Sequence, residues 1–132
     1  MTDPATTSPS PPSAPTPAPD VAAAGPANAR DIAEVPSVEL ISTAALHLMS
    51  GAAVHLGLAE DLPDHKDLAE ARALIDALAG LLDASAQHLG HHHAAPLRDG
   101  LKSLQLAFRE ASVVPDEPGT SAGEHYTGPV LP

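Results

Sequence analysis

Residues 65–89 read HKDLAEARALIDALAGLLDASAQHL, and the spacing of the apolar side chains in this stretch decides the fold. Leu68, Ala71, Ile75, Leu78, Leu82, Ser85 and Leu89 recur at alternating intervals of three and four, which sets them on one stripe of an α-helix. Leu74 and Leu81 widen the stripe, while Glu70, Asp76 and Asp83 lie off it. Such a helix has one face to bury and one to solvate. Asp64, following Pro63, is placed to cap its first free N–H groups.

The same reading extends outward in both directions. Upstream, a helix is predicted from Ser37 to about Leu56, ended by Gly57, which suits the left-handed position past a helix terminus. Its stripe is Val38, Ile41, Ala45, Leu48 and Ala52, but Leu40, Leu46, Met49, Val54 and Leu56 fall outside it. A helix apolar nearly all round has to be covered on more than one side. Downstream, Gly90 breaks the pattern, and Pro96 suits the first turn of a third helix reaching about Ser112, with the stripe Leu97, Leu101, Leu104, Phe108 and Ala111. The predicted fold class is all-α, a small three-helix domain over residues 31–112 in which a helical hairpin is closed by a third helix.

Both flanks read differently. Residues 1–30 hold eight of the 15 prolines and few large apolar side chains, too few to offset the entropy of ordering them. Residues 113–132 hold four prolines and three glycines. Both are expected to be disordered tails. The N-terminus lacks a basic start and an apolar run, so it does not read as a signal peptide. A cytoplasmic location is expected. Leu40 to Ala59 carries no formal charge and could imitate a membrane span, but His47, His55, Ser42, Thr43 and Ser50 interrupt it; no membrane partner is expected.

Composition excludes several functions. There is no Cys and no Trp, with one Phe and one Tyr. Thiolate nucleophiles and cysteine-based metal sites are therefore ruled out, and the core has to be aliphatic. A formal charge of −11 opposes nucleic-acid binding by the whole chain. No nucleophile elbow, zinc-protease helix or phosphate-cradling glycine loop occurs. The chain therefore reads as a non-enzyme, without a cofactor.

The string His55-Leu56-Gly57-Leu58, followed by Asp67-Leu68, Ala71-Arg72, Ile75-Asp76, Leu78 and Leu81, resembles a bacterial family catalogued as domain of unknown function eighteen forty-four, over about residues 38–110. The segment Leu97-Arg98-Asp99-Gly100-Leu101 departs from the more charged third helix of many relatives and resembles a branch from high-GC bacteria. The resemblance implies a small helical domain without established chemistry, so it carries no catalytic residue over. Genes of that family sometimes lie near that of translation initiation factor three, so the resemblance implies a ribosome-associated accessory factor as one alternative. Arg98, Lys102 and Arg109, sharing a helix face with Gln105, would be the phosphate-facing residues in that case.

The leading expectation is a protein–protein interaction module that pairs with itself and with an unidentified protein, through Ile41, Ala45, Leu48, Ala52 and His55 of the first helix. His47 and His55 read as interior polar groups held by hydrogen bonds. Asp61, Asp64 and Asp67 read as caps and solvated charges, because they lack the glycine and terminal glutamate of a calcium loop. A second alternative is nickel or zinc handling by His88, His91, His92 and His93. His88 and His92 have the i, i+4 spacing of a chelating pair, but Gly90 lies between them and no neighbouring carboxylate orients an imidazole. Calorimetric titration with zinc or nickel should accordingly give affinity no tighter than about micromolar. Stoichiometric metal retained through an untagged purification, and lost in His88→Ala/His92→Ala, would contradict this.

Overall fold

The structure, a computed structural model, describes residues 32–61 and 65–132. The proline-rich segment 1–30 and the proposed Asp64 cap lie outside these residues. Residues 32–36 contain a short turn closed by the Val35 N–H on the Ile32 carbonyl at 3.1 Å. The rest is helical, with no strand among the described residues. Helix α1 spans Ser37–His55, α2 spans Leu68–Ala111, and a single turn, α3, spans Glu124–Thr127.

Helix α1 ends as its sequence dictates. Gly57 takes φ 82°, its N–H reaches the Val54 carbonyl at 3.0 Å, and the Leu58 N–H reaches that of Ala53 at 3.0 Å. These two bonds satisfy carbonyls that the terminus would otherwise leave free. The second helix starts slightly later than the sequence suggested. Its cap is Asp67, whose carboxylate accepts from the Ala69 and Glu70 N–H groups at 3.1 and 3.2 Å. His55 closes the loop between α1 and α2: its Nδ1–H donates to the His65 carbonyl at 2.9 Å, and its own carbonyl accepts from the Asp67 N–H at 2.8 Å.

The predicted second and third helices are the two arms of α2, broken at Gly90, which adopts φ 78° and ψ 166°. Only glycine occupies that region readily. The second arm runs back along the first, so that the Arg72 guanidinium lies 5.0 Å from the centre of the Phe108 ring. Gly90 is midway between these two residues in sequence. Helical structure resumes directly after the break, which places Pro96 inside the helix rather than at its first turn.

The stripes read from the sequence form the core. From Ala71 to Leu89 every member of the first-arm stripe is buried, as are Leu97, Leu101, Leu104 and Phe108 from the second arm. Helix α1 packs against both arms. A β-carbon on Gly51 would lie 3.0 Å from Leu74 Cδ1, and one on Gly100 would collide with Met49 Cε. Ala45 and Ala52 are wholly buried at this seam.

Residues 113–132 are not the loose tail that their prolines and glycines suggested. They fold back onto α2, with Ser121, Ala122, Glu124 and Val130 buried. The cause is a set of directed polar contacts, described below, which composition does not reveal.

Gly90→Ala is expected to lower stability by about 1–3 kcal/mol. No atom lies within 4 Å of its added β-carbon, so the loss is one of backbone conformation alone. Urea denaturation followed by circular dichroism checks it.

Candidate functional site

Two surfaces stand out: the outer face of α1, and the face of α2 that holds the C-terminal segment.

The α1 stripe expected to meet a partner is turned inward instead. Ala45 and Ala52 have no exposed surface, and Ile41 and Leu48 pack against the same core. His55 is half-buried at the helix end, occupied with the loop. Ile41, Ala45, Leu48 and Ala52 hold α1 to its own hairpin, where the small Ala45 and Ala52 let the backbones approach, while His55 holds the loop. The surplus apolar surface lies elsewhere, at Leu40 (42 % exposed) and Leu46 (53 %). Thr43, Ala44, His47 and Ser50 are also exposed; His47 is thus on the surface and not an interior group. By length and by its mean hydropathy of 1.3, α1 could cross a membrane.

The histidines do not assemble. His88, His91, His92 and His93 are all exposed, the His91 and His92 rings are 6.4 Å apart and tilted, and Gly90 breaks the helical register between His88 and His92. Among the described residues no three His, Asp or Glu side chains gather to hold a metal ion.

The proposed basic face is also divided. Arg98 and Lys102 are exposed beside an open groove of about 560 Å³, together with Asp83, Tyr126 and Leu131. Arg109 points to the C-terminal segment, where its Nε and Nη2 donate to the two Glu124 oxygens at 2.9 and 2.8 Å. Glu124 has a fully buried side chain. Its carboxylate also accepts from the N–H groups of Gly119 at 2.8 Å, Val130 at 3.1 Å and Ser121 at 3.3 Å. Burial alone would push this carboxyl up. The Arg109 contact and the three N–H groups outweigh it and hold the group at about 2. The same contact raises Arg109 above its ordinary value.

Contacts from three further residues of α2 complete the arrangement. Asp76 accepts the Gly123 N–H at 2.6 Å. Buried Gln105 donates through Nε2 to the Ala122 carbonyl at 3.1 Å and to Thr127 Oγ1 at 3.0 Å. Arg72 pairs with Asp116 at 2.6 Å. Sequence reading missed Asp76, Gln105 and Glu124 as a group. The one available signal was Gln105 beside the core stripe residue Leu104, a polar residue that needs a partner if buried.

The family profile described as "Domain of unknown function (DUF1844)" matches residues 37–110. The chain belongs to this family. The DUF1844 match begins with α1 and stops at the end of the hairpin, before the segment that Glu124 anchors. No curated protein and no solved structure matches the chain.

Glu124 sits below the carboxylate value of about 4.3 found in unfolded chains. Its contribution to stability is therefore present above that value and is lost as pH falls from about 4.3 toward 2. Glu124→Gln is expected to cost about 3 kcal/mol at pH 7 by leaving the ion pair broken, and to flatten the stability profile in that acid window. Denaturant titrations at a series of pH values check both.

Proposed function

We propose that the domain is a non-enzymatic helical protein–protein interaction module, that its working surface is the outer face of α1, and that it pairs with a second copy of the chain. The observation that carries this reading is the exposure of Leu40 and Leu46 on a helix whose inner face already fills the core. From Leu40 to Ala59 there is no formally charged residue, in a chain whose net charge is −11. Two copies meeting there desolvate no ion and keep their acidic residues apart. Thr43, Ala44 and Ser50 are small enough to admit a close helix–helix crossing.

The test is sedimentation velocity at micromolar concentration. The full chain is expected to sediment as a dimer, more so with added salt, which screens the like charges. Leu40→Asp/Leu46→Asp is expected to sediment as a monomer with its helical circular dichroism intact, since both positions are exposed within one chain. A monomeric wild type, or a dimer indifferent to the double substitution, would overturn the proposal.

A further inference from the structure

We propose that the α2 face bearing Asp76, Gln105 and Arg109 is a peptide-recognition site for a small–Gly–Glu turn, with residues 119–130 of this chain as its resident ligand. The site is distinct from the outer face of α1, and α3 packs on α2 alone.

Three positions of the turn are read individually. At Ala122 the side chain is wholly buried and the carbonyl is taken by Gln105. At Gly123 the N–H is taken by Asp76. Its φ of 74° disfavours a side chain, and an added β-carbon would lie 2.9 Å from Gln105 Nε2 and 3.1 Å from Ile75 Cγ2. At Glu124 the two carboxylate oxygens meet the Arg109 guanidinium side-on, a fork that a shorter or uncharged side chain cannot complete.

The way the segment is held resembles a docked peptide more than a core element. Its buried apolar residues are Ala122 and Val130 alone, and the apolar residues that flank it, Val113, Val114 and Leu131, are 97 %, 80 % and 68 % exposed. Its hold comes from bonds aimed at particular backbone and carboxylate atoms. Such contacts give specificity more than bulk affinity. The family match ends at residue 110, so the segment lies outside the matched domain. Residues 112–118 tether it within a few residues of its site. A short tether supplies an effective concentration of about millimolar, enough to keep even a weak ligand docked.

The test uses the full chain with a protease recognition sequence introduced at the exposed Val113–Val114 bond. The folded protein is cut, then mixed with a fluorescein-labelled synthetic peptide of residues 115–132. The expected result is retention of helical circular dichroism after cutting and exchange of the labelled peptide into the cut protein, seen as a rise in anisotropy. The uncut chain should bind the probe at least about tenfold more weakly, because its site is filled. Unlabelled peptide should compete, and peptides carrying Gly123→Ala or Glu124→Gln should compete at least about tenfold less well. Helix loss on cutting would make the segment an integral part of the fold and overturn the proposal. So would failure of the probe to exchange, equal binding to the uncut chain, or equal competition by the two variant peptides.

Discussion

With one Phe, one Tyr and no Trp, this domain has few large side chains with which to span wide gaps between helices. Its core can reach native packing density only if the helix backbones come close together, and the structure follows from that constraint. Six of the sixteen buried apolar residues described are alanines. Gly51 and Gly100 receive Leu74 and Met49 where α1 meets the two arms. The hairpin itself depends on Gly90, because a residue with a β-carbon would resist the backbone angles that turn the chain back.

The same shortage of apolar bulk explains why the C-terminal segment is fastened by polar chemistry. Ala122 and Val130 bury little surface, and ordering the segment carries a substantial entropic cost. A buried carboxylate would ordinarily add to that cost. Here Glu124 meets a two-pronged guanidinium and three N–H donors, so its lone pairs are satisfied and its charge is balanced. Arg109 thereby serves the fold as an anchor and is withdrawn from the basic face expected of it with Arg98 and Lys102.

The domain thus presents two surfaces of opposite character. From Leu40 onward the outer face of α1 is uncharged and weakly apolar, a surface suited to packing with a similar one. The α2 face is selective, and its selectivity resides in Asp76, Gln105, Arg109 and a cradle that admits glycine at residue 123. An association through α1 leaves the second face unobstructed, since α3 does not touch α1.

The sequence by itself determined the helices and their core faces. The three-and-four spacing from Leu68 to Leu89 and from Leu97 to Phe108, the Gly57 terminus and the interruption at Gly90 all survive in the structure, because helical periodicity and glycine conformation are properties of a few neighbouring residues. Membership of the family was legible in the same local strings. Tertiary structure alone decided what the Val38, Ile41, Ala45, Leu48 and Ala52 stripe of α1 meets: the spacing picks out the stripe but not its occupant, and the hairpin takes it because Ala45 and Ala52 let the backbones approach. It also decided the fate of residues 113–132. Their proline and glycine content describes a chain with little intrinsic order, whereas the order they have comes from Asp76, Gln105 and Arg109, which lie 15 to 47 residues away in sequence from their partners, Asp76 being alongside Gly123 only because the hairpin sets the first arm beside the second.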